Sequence, residues 1–175
     1  VEEIGFETRK VHMFSIAGEP VATRGDWTCT GESLVFNHDG SLLCLGAGYS
    51  RAWVLDGETL EELDGFGAEN STRALAWSPD EDYLACATNP APIPVRVWNR
   101  RQPGSHLDLP RLSASSLAFS RDGKYLAGGS IVEAKLWDWR HEAPLVLDDH
   151  ESYVYFAVFS PDGSMIASAA WDWTV

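Results

Sequence analysis

The sequence predicts an all-β chain assembled from a repeated unit of four antiparallel strands, and three observations carry that expectation. Four segments superpose around the aromatic residues Phe36, Trp77, Phe119 and Phe159, at intervals of 41, 42 and 40 residues. A second aromatic series, Phe14, Trp53, Trp98 and Trp137, runs out of phase with the first at spacings of 39, 45 and 39 residues. Short β-branched and aromatic runs are punctuated about every ten residues by Asp-Gly, Gly or Pro, the rhythm of strands and tight turns. Self-similarity at such a period marks units that bury their faces by stacking on neighbours.

The elements follow in order. Asp39-Gly40, Asp122-Gly123 and Asp162-Gly163 place residues tolerant of positive φ between two apolar runs, so each pair predicts a hairpin. In Leu126-Ala-Gly-Gly-Ser the small residues allow neighbouring sheets to approach closely. Alternation in Ala134-Lys-Leu-Trp places Ala134 and Leu136 on one face and Lys135 and Trp137 on the other. About 41 residues folding into four antiparallel strands is the signature of stacked propeller blades.

The chain resembles the Trp-Asp (WD) repeat β-propellers, most closely in Leu136-Trp137-Asp138 and Phe159-Ser-Pro-Asp-Gly163. The resemblance implies strands a to d in each blade, counted from the centre outward, with the second aromatic series as strand-c anchors. The phase then divides the chain into a partial blade at 1–31, blades at about 32–72, 73–113 and 114–153, and a partial blade at 154–175. Residues 4–24 read as strands b, c and d of the first. The expectation is an arc of about four blades, an incomplete or open part of a larger propeller. The alternative is two copies whose open blade edges complete one another. The resemblance also implies a buried hydrogen-bonded set, of which the last blade keeps His150 and Asp172. The other blades carry Trp27, Ala68 and Pro110 at the His position and rely on apolar packing.

Composition narrows the function. A net charge of −13 repels polyanions, so neither nucleic acid nor an anionic membrane is expected as a partner. No apolar run approaches the roughly 18–20 residues of a membrane-spanning helix. Cys29, Cys44 and Cys86 form no disulfide framework or metal pair. Cys44 and Cys86 fall at nearly the same repeat phase, as small packing residues. Such usage suits a reducing compartment, and a cytoplasmic location is expected.

Catalytic templates are absent: there is no G-x-S-x-G elbow, phosphate-binding glycine string or H-E-x-x-H pair. No metal or cofactor motif is present. Gly46-Ala-Gly48 is a strand-to-turn pair, Asp80-Glu-Asp82 is a solvated hairpin, and the starts of the a strands offer no acid–base lining. What remains is a surface for recognition. The resemblance implies one face built from the d-to-a and b-to-c loops, and Trp27, Tyr49, Arg51, Phe66, Ile93, Tyr153 and Trp171 fall there. Trp, Tyr and Arg dominate interface hot spots because they bury much area with few rotors. Asn89-Pro-Ala-Pro-Ile-Pro94 lengthens one b-to-c connection into a stiff, extended arm. The expectation is a scaffold that binds a peptide or protein and carries no chemistry, the alternatives being a regulatory or sensor module of a larger protein whose catalytic domain lies outside this chain and, ranked below it, a propeller enzyme.

Overall fold

A computed structural model describes residues 9–27, 33–46, 51–67, 71–89, 95–109, 114–129, 133–141, 144–147 and 150–172. Strands β1 (Arg9–Phe14) and β2 (Pro20–Trp27) form a two-stranded sheet. Strands β3 (Ser33–Phe36), β4 (Leu42–Gly46), β5 (Arg51–Asp56) and β6 (Glu62–Gly67) form a four-stranded sheet in that order. So do β7 (Ser71–Trp77), β8 (Tyr83–Asn89), β9 (Val95–Asn99) and β10 (His106–Leu109). The same holds for β11 (Ser116–Phe119), β12 (Tyr125–Gly129), β13 (Ala134–Asp138) and β14 (Pro144–Leu147). A second two-stranded sheet joins β15 (Val154–Phe159) to β16 (Ile166–Ala170). Every pairing is antiparallel.

The turns between the first two strands of each sheet explain the repeat. Gly40, Gly123 and Gly163 adopt φ of 77°, 69° and 74°, the left-handed region that glycine enters without steric cost. The repeat around Trp77 has no glycine there, and Glu81 takes the same conformation at φ 62°. Each turn is held by its aspartate: the Ser120 and Ser160 hydroxyls donate to Asp122 and Asp162 at 2.6 Å, and the Ser78 hydroxyl to Asp80 at 2.5 Å.

The inner strands β3, β7, β11 and β15 succeed one another in contact, and apolar layers lie between neighbouring sheets. The layer between the two sheets β3–β6 and β7–β10 combines Cys44, Val54 and Phe66 with Leu75, Trp77 and Trp98. The next layer places Val95 and Val97 against Leu126, Trp137 and Trp139. Small residues permit this spacing: a Cβ on Gly129 would lie 2.6 Å from the Val154 carbonyl oxygen.

Register corrects one strand-c anchor, Trp53, and exposure sets another, Phe14, apart. Leu84 pairs with Trp98 and Leu126 with Trp137, both deeply buried. The equivalent pair in the preceding sheet is Leu43 with Leu55, which is fully buried. Trp53 stands two residues earlier on the same face, half-buried, with the Arg51 guanidinium 4.1 Å from its ring centre. Leu55 fills the anchor position because the β5 turn begins at Asp56, which receives the Glu58 and Thr59 amides. Phe14 does hold the anchor register, one residue before the Ser15 turn, yet it is 60% exposed. Among the described residues β1 pairs only with β2, and residues 4–8, where strand b is expected, lie outside the described residues.

Candidate interaction surface

The loop-bearing end of the β15–β16 sheet gathers aromatic side chains. Tyr153 precedes β15 and Trp171 follows β16, and the Trp171 amide donates to the Tyr153 carbonyl at 2.9 Å. The pairing skips Tyr155, leaving it as the extra residue of a bulge between Val154 and Phe156. Bulges turn a side chain out of the regular alternation. Tyr155 consequently lies between Tyr153 and Trp171, with ring centres 5.3 and 6.1 Å away. The Arg73 guanidinium of β7 stands 5.5 Å from the Tyr153 ring centre, within cation–π range. Trp171 is 64% exposed at the end of this row. The sequence singled out Tyr153 and Trp171; it missed Tyr155, which alternation assigns to the strand body, and Arg73, which lies outside the repeat's aromatic series.

Of the other residues expected on this face, one is placed elsewhere. Phe66 is buried and stacks on Trp98 at 5.2 Å, so it belongs to the layer between sheets. Its phase at the end of β6 is right, but its side chain points at the next sheet. Arg51 is exposed, occupied by the Trp53 ring and by Glu62 at 3.6 Å. Trp27 closes β2 with its backbone opposite Arg9. Tyr49, Ile93 and the proline arm at 90–94 lie outside the described residues.

Next to the aromatic row, His150 links the sheet to its flanking segments. Its Nδ1 lies 3.0 Å from Asp172 Oδ2 and its Nε2 2.8 Å from Ser168 Oγ. The Glu151 amide donates to the same Asp172 oxygen at 2.9 Å. With Nδ1–H donating to the carboxylate, Nε2 accepts from the Ser168 hydroxyl. The His150 and Asp172 side chains are only 7% and 11% exposed. The three groups therefore satisfy one another inside the sheet end.

Elsewhere the polar pairs close on themselves. Arg96 grips Asp108 through two nitrogens at 2.7 and 3.1 Å, and this contact, ahead of the nearby charges, lowers the Asp108 pKa. Arg101 meets Asp82 at 2.5 Å, and His141 meets Asp138 at 2.8 Å. Burial pushes the Cys86 thiol up to about 12 and the Cys44 thiol well above its usual value, so both stay protonated. No group of three His, Cys, Asp or Glu side chains among the described residues is placed to hold a metal ion. No helix among them is long and apolar enough to cross a membrane. At the opposite, hairpin-turn end, a concavity of about 630 Å³ opens between successive inner strands, lined by Phe36, His38, Trp77, Phe119, Arg121 and Pro161. The sequence analysis used Phe36, Trp77 and Phe119 only to align the repeats and did not foresee the opening.

The family description "WD domain, G-beta repeat" matches residues 142–175. The WD repeat-containing protein SL1-17 of Schistosoma mansoni is 32% identical over 123 residues, covering 69% of this chain and 40% of that protein. The probable cytosolic iron-sulfur protein assembly protein 1 of Botryotinia fuckeliana is 26% identical over 136 residues, covering 71% of this chain and 31% of that one. The chain thus spans well under half the length of these relatives. Among solved structures, a chain of a mitotic checkpoint complex superposes with a TM-score of 0.79 at 20% identity, over 93% of this chain and 52% of that chain. Repeat, sheet order and sequence likeness converge, and the chain belongs to the WD40-repeat family of β-propellers.

Proposed function

We propose that the chain is a protein-interaction scaffold that presents the loop-bearing end of its sheets to a peptide or protein partner and performs no chemistry of its own. The row Arg73, Tyr153, Tyr155 and Trp171 carries this reading, because it sets an exposed Trp on a base of packed aromatic rings. A Trp held in this way loses little rotamer freedom on binding, which is what makes such residues hot spots. The net charge of −13 favours a partner surface that is basic. The His150, Asp172 and Ser168 set is closed rather than poised, since both His150 ring nitrogens, the Ser168 hydroxyl and Asp172 Oδ2 already have partners within the sheet end. One relative is named as cytosolic, and the reading takes the same location for this chain.

The test compares the chain as bait with a Trp171→Ala, Tyr155→Ala double variant and with Leu145→Ala, an exposed change on the outer strand β14. Partners retained by the chain and by Leu145→Ala are expected to bind the double variant at least about tenfold more weakly, the scale of a hot-spot loss. Melting temperatures should agree among the three. Equal retention by the double variant would remove this end of the sheets from the interface. A second reading, a regulatory module within a larger protein, is favoured by the 40% and 31% shares of the relatives' lengths.

A further inference from the structure

The four hairpin turns that follow the inner strands share one arrangement. Each runs through three residues: Asn37-His38-Asp39, Ser78-Pro79-Asp80, Ser120-Arg121-Asp122 and Ser160-Pro161-Asp162. The aspartates fold back over their own turns. Asp39 accepts from the Ser41 amide and Asp80 from the Ser78 hydroxyl and Asp82 amide. Asp122 accepts from the Ser120 hydroxyl and Lys124 amide, and Asp162 from the Ser160 hydroxyl and Ser164 amide. The residue before each aspartate is exposed and lines the concavity of about 630 Å³ instead: His38, Pro79, Arg121 and Pro161. No aspartate or glutamate among the described residues lines it.

Nesting of successive hairpins fixes this row. A Cβ on Gly123 would lie 3.5 Å from the Pro79 ring, and one on Gly163 3.9 Å from Arg121 Cβ. Arg121 is held by that contact and by the bond its Nη1 donates to the Pro161 carbonyl at 3.2 Å. The bond uses one of five guanidinium N–H groups. Arg51, Arg96 and Arg101 each meet a carboxylate, whereas among the described residues none pairs with Arg121. Beside the row the wall is apolar, with Leu75 and Trp77 from β7 and Leu117 and Phe119 from β11. Trp77 donates through Nε1 to the Val35 carbonyl at 3.3 Å and carries the Arg100 guanidinium 5.3 Å from its ring centre, so the ring is fixed in advance. Both strands belong to sheets with a described neighbour on each side, so their spacing is internal to the arc.

We infer that the hairpin-turn end is a second docking surface, independent of the aromatic row at the loop-bearing end, and that it seats an acidic peptide segment of a partner protein. A large apolar side chain enters between Trp77 and Phe119, and a carboxylate beside it in the partner's sequence takes the remaining Arg121 donors as a bidentate pair. The His38 imidazole offers a further polar contact on the same wall. The walls run across the ends of three consecutive sheets, an open strip that suits an extended segment. The net charge of −13 opposes an acidic partner at long range, but that repulsion is largely screened beyond about 8 Å at physiological salt. At contact the local chemistry decides, and there the nearest carboxylate, Asp122, is turned into its own hairpin while Arg121 faces the apolar wall.

The experiment is an NMR titration of the isotope-labelled 175-residue chain with three pools of blocked pentapeptides, in which Leu, Phe or Trp stands between two glutamates, two glutamines or two lysines. The glutamate pool is expected to give saturable shifts at about 1 mM or below, centred on the Trp77 indole N–H, the Arg121 Nε–H and the hairpin amides. The glutamine pool should bind about tenfold more weakly, the scale of a lost hydrogen bond to a charged group. Arg121→Gln should reduce the glutamate pool to the same level with an unchanged melting temperature. Arg121→Lys, which keeps the charge and loses the fork, should fall between. The Trp171→Ala, Tyr155→Ala variant should bind the glutamate pool as the unaltered chain does, so failure at one end is distinguishable from failure at the other. Equal binding of the glutamine pool would reduce the site to apolar contact, and preference for the lysine pool would give control to the turn aspartates. Either result, or shifts that avoid the hairpin end, overturns the inference.

Discussion

At the strand-b position where the β15–β16 sheet carries Ser168, the β7–β10 sheet carries Cys86 and the β3–β6 sheet Leu45. Ser168 holds a His150 ring that in turn holds Asp172, so the sheet is tied to its own flanking loops. Cys86 and Leu45 are buried in layers shared with a neighbouring sheet. The difference teaches where each sheet draws its stability. The polar set of the β15–β16 sheet is satisfied within that sheet and its flanking residues. Among the described residues the middle sheets show no such set and depend on apolar packing against neighbouring sheets, the nearest-neighbour logic of repeat proteins.

The largest break of this comparison comes from the apolar side. Trp137→Ala removes a side chain that is 1% exposed between two sheets, and a loss of about 3–5 kcal/mol is expected in urea unfolding. Leu55→Ala should cost about 2–5 kcal/mol, and Trp53→Ala less than Leu55→Ala despite removing the larger ring. If Trp53→Ala proves the costlier of the two, the register that makes Leu55 the anchor is wrong. On the polar side, His150→Ala leaves the Asp172 carboxylate short of its partner, for an expected cost of about 1–3 kcal/mol. The readout that separates the two chemistries is amide hydrogen exchange. His150→Ala should loosen β15 and β16 while leaving β7 to β10 protected, whereas uniform loss of protection would show that the polar set supports the whole arc.

The same contrast explains what could be read from the residues alone. Strands, hairpins and the period are local properties: alternation has a period of two, and Asp122-Gly123 needs only its own backbone to turn. The His150–Asp172 relation was also accessible, through the resemblance. Three features required tertiary geometry. Trp53 and Leu55 share one face, so identity pointed to the Trp while the distance to the turn decided for Leu55. The bulge at Tyr155 depends on pairing with β16, which composition does not encode, and without it the aromatic row of the surface is invisible. Phe66 had the phase of a loop residue, but the side of the sheet it occupies is set by its pairing with Ala52. The concavity beside Phe36 and Phe119 likewise arises only from the spacing between inner strands.

The hairpin turns are what the polar and apolar sheets have in common, and they offer the smallest and most local test. The Asp162 carboxylate is held at about 2, first by the Ser160 hydroxyl and then by the Ser164 amide and hydroxyl. Asp122 is lowered in the same way by Ser120, and Asp39 chiefly by Ser41. An unfolded aspartate titrates near about 3.9. Because the folded value is the lower one, the turn's contribution is fully present above the unfolded value and disappears as pH falls through about 2. These carboxylates are solvent-exposed, so the effect on global unfolding is expected to be slight. Carboxyl carbon shifts followed by NMR from pH 6 to 1.5 should nonetheless show Asp162 titrating well below an ordinary aspartate, with the Ser164 amide moving in step. Ser160→Ala should raise that midpoint toward the unfolded value. An Asp162 midpoint that stays put in Ser160→Ala would mean that the Ser164 amide and hydroxyl hold the carboxylate, and that the serine–aspartate pair shared by three of the hairpins is not what fixes the turn.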